Sequence, residues 1–177
     1  RLAQIVTCTG LLISAALSIA IFFDVGLHGN AKTVHLFTWI QSGTFDVSWA
    51  LRFDTLTAVM MIVVTGVSSM VHVYSCGYMS HDPNIPRFMG YLSLFTFCML
   101  MLITADNLLQ LFFGWEGVGL ASYLLIGFWY HKPSANAAAM KAFLVNRVGD
   151  FGFSLGIFAT FLLFGSADFN TIFADVP

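Results

Sequence analysis

The amino-acid sequence predicts an all-α integral membrane protein with five transmembrane helices and one β-hairpin on the outer face. Hydrophobic residues make up 58% of the 177 residues and charged residues only 9%, whereas ordinary soluble domains are about 25% charged. Because a backbone in lipid must satisfy its own hydrogen bonds, and a barrel strand would show alternation, long apolar runs predict helices. Runs of suitable length cover about 2–23, 55–76, 88–104, 108–130 and 135–164.

The first apolar segment, at about 2–23, has two interpretations. It is longer than the core of an ordinary signal peptide and has no small-x-small cleavage site before Asp24, which favours a retained helix over a signal peptide. The chain begins at Arg1, without an initiator methionine, and stops at Pro177 just after a helix. We therefore expect 1–177 to be a single membrane domain and a fragment of a longer polypeptide.

Residues between the first two helices, at about 34–53, have the pattern of a β-hairpin. From 44 to 54 apolar and polar side chains alternate, which is typical of a half-buried strand. The predicted apolar face carries Phe45, Val47, Trp49, Leu51 and Phe53. A turn with a glycine at 41–43 precedes this strand. An irregular interfacial loop anchored by Trp39 and Trp49 is the alternative.

Short links separate the remaining helices. Two prolines within 82–86 are expected to end the second helix and to delay the third. Residues 105–107 form a minimal turn, so the third and fourth helices are predicted to be antiparallel neighbours. Ser134 follows a Lys-Pro break and is predicted to cap the N-terminus of the fifth helix.

The distribution of charge predicts the orientation in the membrane. Five crossings place the two ends of the chain on opposite sides, and the positive-inside rule makes the more basic side cytoplasmic, or matrix in a mitochondrion. The basic side carries Arg1, Arg87, Lys132 and Lys141. The hairpin side has two basic residues, which are offset by the aspartates Asp24, Asp46, Asp106, Asp168 and Asp175.

One carboxylate, Glu116, lies within the fourth predicted helix. Counted from Leu108, it lies roughly 12 Å into a hydrocarbon layer about 30 Å thick. An acidic residue at such a depth costs about 3 kcal/mol, so it requires a polar partner or a wet cavity. A proton-carrying site is the functional interpretation, because burial raises a carboxylate's proton affinity and a nearby cation lowers it. A structural carboxylate held by a neighbouring arginine is the alternative.

Small residues share one side of the same helix. Gly114, Gly117 and Ala121 recur at helical spacing, which predicts that another helix approaches closely there. Local flexibility near Glu116 is the alternative interpretation.

The fifth predicted helix carries three charged residues, Lys141, Arg147 and Asp150. The helical rise places Arg147 level with Glu116, so the two helices are predicted to share a polar layer. Arg147 and Asp150 are three residues apart and can pair, either to neutralise each other or to transfer charge. Lys141 points away from Asp150 and either reaches the cytoplasmic interface or takes part in proton entry. These three residues and Glu116 are the candidate proton-translocation residues.

Other classes of function find little support. A net charge of −2 provides no basic surface for nucleic acid. Cys8, Cys76 and Cys98 are odd in number and lie in apolar segments, so no disulfide framework is expected. His72, Cys76 and His81 lack an obvious fourth metal ligand, and His72 is expected at the membrane interface. Neither a phosphate-binding loop nor a nucleophile is indicated, so no cofactor, metal or catalytic residue is expected in this chain.

Two motifs carry a family resemblance. Residues 114–130, beginning Gly-Trp-Glu-Gly-Val-Gly-Leu-Ala-Ser-Tyr, and residues 146–150, Asn-Arg-Val-Gly-Asp, resemble the antiporter-like L subunits of respiratory complex I, the family that includes mitochondrial subunit 5. The resemblance extends from about Asp54 to Gly165, whereas 2–53 are similar mainly in hydropathy and order.

This resemblance implies a proton-translocating subunit of NADH:quinone oxidoreductase with an antiporter-like bundle. It implies that Glu116 pairs with a lysine beyond Pro177, and that Asp150 passes charge to the adjacent antiporter-like subunit. The implied partners are other membrane-arm subunits and the lipid bilayer, with NADH, FMN, iron-sulfur clusters and quinone bound by other subunits. A subunit of a multi-subunit sodium-proton antiporter is the alternative function. The motifs favour a bacterial inner membrane, with the mitochondrial inner membrane as the alternative.

Overall fold

The structure is a computed structural model that describes residues 2–43 and 45–175. Within these residues, five helices are long and apolar enough to cross a membrane, and a two-stranded antiparallel sheet lies between the first two, which confirms the predicted fold class. In chain order the elements are α1 (Leu2–Ile21), extended by a π-helical segment (Phe22–Leu27), β1 (Lys32–Ser42), β2 (Phe45–Phe53), α2 (Thr55–Tyr78), α3 (Ile85–Ile103), α4 (Leu108–Ile126), α5 (Pro133–Phe164) and α6 (Phe169–Asp175). The sequence pattern does not predict the seven-residue α6.

Side-chain caps determine where two of the membrane helices begin. The carboxylate of Asp54 accepts a hydrogen bond of 2.8 Å from the backbone N–H of Thr57 at the start of α2. The amide oxygen of Asn107 accepts one of 2.8 Å from the backbone N–H of Gln110 at the start of α4. Each cap satisfies a backbone donor that the helix itself leaves free, so both helices start at the residue after the cap.

Prolines shift two helix boundaries from their predicted positions. α3 begins at Ile85 rather than near residue 88, and Pro86 lies in its first turn, where the helix does not need the missing N–H. α5 begins at Pro133 with Lys132 as its N-cap residue. The prediction that Ser134 caps α5 is therefore wrong, because Ser134 already lies within the first turn.

The hairpin lies against α4 through its second strand. β1 is almost entirely exposed, whereas β2 is partly buried, and two irregularities in the register lie on the β1 side, at 35–37 and 38–40. Trp49 packs edge-on to Phe113 of α4, with ring centroids 5.1 Å apart. Ala50, which lies on the face opposite to the predicted apolar one, is fully buried, and its N–H donates a hydrogen bond of 3.2 Å to the side chain of Gln110. The predicted alternation is thus wrong at Ala50, and Thr44 lies outside the described residues.

The membrane helices pack mainly in sequence order, with α1 against α2, α2 against α3, α3 against α4 and α4 against α5. The closest approach involves Gly114 and Gly117 of α4. A Cβ atom added at Gly114 would lie 2.6 Å from the backbone of Leu102, and one added at Gly117 would lie 2.6 Å from Sγ of Cys98. The small residues therefore serve the close helix packing that their spacing predicts.

The distribution of polar and apolar side chains is that of a membrane bundle. Large apolar side chains point outward, and Leu162 and Val148 are 84% and 76% exposed. Polar side chains lie inside, including His72, which is fully buried in α2 and whose Nε2 lies 3.2 Å from Oγ of Ser93 in α3. α3 covers His72 and supplies a hydrogen-bonding hydroxyl, so this side chain packs inside the bundle, and its position at the membrane interface stays a prediction.

Candidate functional site

The carboxylate of Glu116 meets an arginine from the next helix. Glu116 lies eight residues into α4, and Arg147 lies on the antiparallel helix α5. Nη1 of Arg147 donates a hydrogen bond to Oε2 of Glu116 and forms a salt bridge with it. The two side chains therefore occupy one level of the bundle, as the helical rise predicts.

Asp150 belongs to the same cluster from the other side of the guanidinium group. Nε of Arg147 lies 3.8 Å from Oδ2 of Asp150, and Nε1 of Trp115 donates a hydrogen bond of 2.9 Å to Oδ1. The side chain of Asp150 is only 7% exposed, against 24% for Glu116 and 50% for Arg147. The most buried carboxylate is thus held by a neutral donor, and the less buried one by the cation.

One guanidinium serves two carboxylates in this cluster. The ring of Phe143 lies 4.8 Å from the guanidinium carbon of Arg147, so the cation is also held over an aromatic face. The planar guanidinium carries several N–H donors in a fixed arrangement and can contact two acceptors at once. With both carboxylates ionised, the cluster has one more negative than positive charge, and a single bound proton makes it neutral.

The structure brings together three of the four candidate residues. Glu116, Arg147 and Asp150 lie in contact, whereas Lys141 is exposed on α5 and forms no salt bridge with the described residues. Arg147 lies six positions after Lys141, or about 9 Å along the helix axis. Lys141 therefore lies apart from the cluster, toward the end of α5 opposite the hairpin.

Trp115 is the member of the cluster that sequence reasoning missed. It directly precedes Glu116, and its ring also packs edge-on to Phe153 of α5, with centroids 5.7 Å apart. A tryptophan in an apolar helix looks like an ordinary lipid-facing residue, since only its single N–H indicates a need for an acceptor. The one available signal is the presence of Asp150 on the neighbouring helix at a similar depth.

A metal-binding interpretation receives no geometric support from this part of the chain. Within residues 2–43 and 45–175 there is no group of three or more His, Cys, Asp or Glu side chains arranged to hold a metal ion. The Sγ atoms of Cys8 and Cys76 lie 3.6 Å apart, and both thiols are free.

The fold and the cluster together define a class of protein. A bundle of apolar helices in which two neighbouring helices share a carboxylate, arginine and carboxylate cluster, with its large apolar side chains directed outward, is an antiporter-like membrane protein. Comparison with a solved structure supports this fold: the chain superposes on a chain of the Mrp complex from Dietzia sp. with a TM-score of 0.73 at 22% identity, covering 97% of this chain and 21% of that one.

Sequence comparisons identify the family within this class. Residues 39–89 match the family model described as NADH-Ubiquinone oxidoreductase (complex I), chain 5 N-terminus, and residues 105–176 match NADH:quinone oxidoreductase/Mrp antiporter, TM. NADH-quinone oxidoreductase subunit L of Rhodobacter capsulatus is 59% identical over 98% of this chain and 25% of its own length. NADH-ubiquinone oxidoreductase chain 5 of Chondrus crispus is 58% identical over 93% of this chain and 25% of its own length.

The chain belongs to the family of complex I subunit L and chain 5. It spans about a quarter of the length of the curated relatives that it matches. Chain 5 of Triticum aestivum is likewise 59% identical, over 96% of this chain and 25% of its own length.

Proposed function

We propose that this chain is part of a proton-translocating membrane-arm subunit of NADH:quinone oxidoreductase, which couples electron transfer elsewhere in the complex to proton transport. The observation that carries the proposal is the sharing of Arg147 by Glu116 and Asp150 between two neighbouring helices of a membrane bundle. Charged residues at such a depth are costly and mark ion pathways. The names and identities of the relatives support the same function.

The mechanism follows from the excess of one carboxylate over one cation. When Glu116 is ionised it holds Arg147, and when Glu116 takes up a proton the guanidinium loses that partner and can move toward Asp150. Because the interaction between charges is strong in a low-dielectric interior, a change of charge in a neighbouring unit shifts the proton affinity of this cluster. Asp150 and Arg147 then relay that change of charge between neighbouring units.

Lys141 has a separate role in this proposal. It lies on α5 nearer the end opposite the hairpin, outside the cluster and exposed. A lysine at that position favours proton entry from the more basic side of the bundle. The second partner of Glu116 is a lysine on a helix outside this chain, as in the antiporter-like family.

The rest of the proposal concerns the complex. The chain acts as a non-redox part of the enzyme, with NADH, FMN, iron-sulfur clusters and quinone bound by other subunits. Its partners are the other membrane-arm subunits, above all the adjacent antiporter-like subunit, and its location is a bacterial inner membrane with the hairpin outside. A mitochondrial inner membrane is the alternative, since chain 5 relatives match equally well.

A subunit of a sodium-proton antiporter is the second candidate function. It is favoured by the structural likeness to the Mrp complex at a TM-score of 0.73. Sequence identity distinguishes the two candidate functions. This chain is 22% identical to the Mrp chain and 59% identical to subunit L of Rhodobacter capsulatus. The complex I function is therefore the better supported of the two.

Proton pumping by the variant Glu116→Gln tests the proposed function. The variant is made in the full-length subunit, and protons pumped per NADH oxidised are measured in membrane vesicles at matched assembly of the complex. Glutamine keeps the size of the side chain and can still accept a hydrogen bond from Arg147, but it cannot carry a proton at neutral pH. We expect a lower ratio of protons to NADH.

The control is Asp175→Asn, which removes a carboxylate from the exposed end of α6. Its pumping ratio should equal that of the wild type. Unchanged pumping and turnover in Glu116→Gln would show that Glu116 is structural. Pumping that depends on sodium in place of protons would favour the antiporter function.

A further inference from the structure

An acidic pocket lies at the hairpin end of the bundle, separate from the Glu116 cluster. The hairpin, the link between α3 and α4, and the residues just before α6 meet there, and they line an open pocket of about 330 Å³. Backbone bridges hold the three segments together, between Leu51 and Ala105 and between Asn107 and Asp168. The titratable side chains that line the pocket are His35, Asp46, Asp106 and Asp168. We call it the hairpin pocket.

The carboxylate of Asp106 is buried in the hairpin pocket, and one of its oxygens has no hydrogen-bond partner within residues 2–43 and 45–175. Asp106 is only 2% exposed, and its Oδ1 is one of three buried side-chain polar atoms that lack a partner among the described residues. Nη1 of Arg52 lies 3.8 Å from that oxygen, which is beyond hydrogen-bond distance. A buried ionised oxygen with no donor is unfavourable, so it requires a proton, a water molecule or a cation.

The arginine nearest to Asp106 is already engaged elsewhere. Nε of Arg52 donates to Oδ2 of Asp54 at 3.2 Å, and Nη1 donates to Oδ1 of Asn170 at 3.1 Å. Arg52 therefore reaches Asp106 through its charge and not through a hydrogen bond. Because the positive charge of Arg52 is also paired with Asp54, it only partly neutralises the negative charge of Asp106.

Charged and titratable side chains of both strands and of the residue before α6 lie around Asp106. Burial and the negative charge of Asp168 raise the pKa of Asp106, while the charges of Arg52 on β2 and His35 on β1 lower it, and the pKa remains above its usual range. Asp46 of β2 adds a further carboxylate to the pocket lining. The surroundings therefore favour the protonated form of Asp106 more than water does.

We propose that Asp106, assisted by Asp168, is a proton-binding site that opens to the aqueous phase at the hairpin end of the bundle. A hydronium ion in the hairpin pocket gives its proton to Asp106 and leaves as water, and the reverse step releases the proton. The protonated carboxyl becomes a donor and no longer needs Arg52. This site rests on the function proposed above, and it is the outlet of the path that includes Glu116. Glu116 lies about 12 Å along α4 from Leu108, the first residue of that helix.

Infrared difference spectroscopy tests the site at equilibrium, without turnover. The C=O band of protonated carboxyl groups is recorded against pH for the complex that contains the full-length subunit. We expect a component of this band to be absent in Asp106→Asn. In Asp168→Asn its midpoint should move to lower pH, because the variant removes the negative charge that favours protonation of Asp106. The control Asp175→Asn should leave the component and its midpoint unchanged.

Each outcome has a definite meaning. The same band in Asp106→Asn, or an unmoved midpoint in Asp168→Asn, would overturn the proposal. A midpoint that moves when sodium replaces potassium at constant ionic strength would overturn it in favour of a sodium site. Should Asp106→Asn fail to assemble, Asp168→Asn decides the question alone, since asparagine keeps the acceptor that Thr171 uses at the start of α6.

The outlet role is tested separately by pumping. We expect Asp106→Asn to lower the ratio of protons pumped to NADH oxidised, whereas unchanged pumping together with a lost band would leave a proton-binding site and overturn its role as outlet. Failure of the proposed function is seen in a different variant, because it requires unchanged pumping in Glu116→Gln. The two failures are therefore distinguishable.

Discussion

Replacement of Gly117 by alanine tests the contact on which the α3 and α4 pair depends. The added Cβ atom would lie 2.6 Å from Sγ and 3.0 Å from Cβ of Cys98. Overpacking of this kind costs about 1–3 kcal/mol, and the higher helix propensity of alanine returns up to about 1 kcal/mol. We expect Gly117→Ala to lower the free energy of unfolding by about 1–2 kcal/mol.

Two further glycine variants, one expected to be more destabilising and one expected to be harmless, are compared with Gly117→Ala. In Gly114→Ala the Cβ atom would lie 2.6 Å from both Cα and the backbone nitrogen of Leu102, so the whole of α3 must move. We expect a loss of at least about 3 kcal/mol, because no side chain can rotate away. Gly152 of α5 has no atom within 4 Å of an added Cβ, so Gly152→Ala should be neutral or stabilise by up to about 1 kcal/mol.

A substitution at Cys98 distinguishes the contact that an added Cβ at Gly117 makes with the sulfur atom from the one that it makes with Cβ of Cys98. Cys98→Ala removes the sulfur atom that lies 2.6 Å from the added Cβ at Gly117, and it leaves the contact of 3.0 Å. In the double variant we expect about 1 kcal/mol of the loss to be recovered relative to the sum of the single variants. The same substitution should not rescue Gly114→Ala.

The assay is unfolding of the purified full-length subunit in detergent with increasing SDS, followed by circular dichroism. Equal stability of Gly114→Ala and Gly152→Ala would refute the close approach of α3 and α4. The absence of coupling between Gly117→Ala and Cys98→Ala would refute the contact between those two residues.

Two other predictions concern individual hydrogen bonds. Trp115→Phe removes the N–H that donates to the buried carboxylate of Asp150, and we expect a loss of about 1–3 kcal/mol in the same SDS assay. Trp129→Phe is the control, because it removes an N–H that donates to Asp82 in an exposed hydrogen bond of 3.3 Å, and equal effects of the two would contradict this role of Trp115. Asp54→Ala removes the N-cap of α2 and should cost about 0.5–2 kcal/mol. Although burial raises the pKa of Asp54, hydrogen bonds from Thr57 and Arg52 lower it below its usual value. Its carboxylate therefore stabilises the fold above that value, and the contribution is lost as the pH falls below about 4. Stability curves from pH 3 to pH 6 should be steeper for the wild type than for Asp54→Ala, and parallel curves would contradict the prediction.

The candidate cluster was predictable in part. Helical rise and hydropathy placed Glu116 and Arg147 at one depth, because both depend on local hydrogen bonding and on the thickness of a bilayer. The donation from Trp115 to Asp150 was not predictable, since it depends on how α4 and α5 are rotated about their axes. The close contacts of Gly114 and Gly117 with α3 fix which face of α4 is turned away from α5.

The hairpin, too, was predictable from the sequence only in part. Alternation of apolar and polar residues predicted a strand, because side chains of a strand point alternately to opposite faces. The burial of Ala50 on the polar face was not predictable, because it depends on Gln110, 60 residues further along the chain. Likewise, Asp106 and Asp168 are ordinary loop aspartates in the sequence, and only the meeting of three segments places them in one pocket.

By itself, the sequence determined the number of helices long and apolar enough to span a membrane, the presence of the hairpin and the common level of Glu116 and Arg147. These properties are set locally, by hydrophobicity and by backbone geometry that repeats along the chain. Tertiary structure decided which charges share a partner, which remain unsatisfied and which are open to water. Such relations depend on contacts between residues far apart in sequence, which only the packed arrangement of helices and hairpin creates.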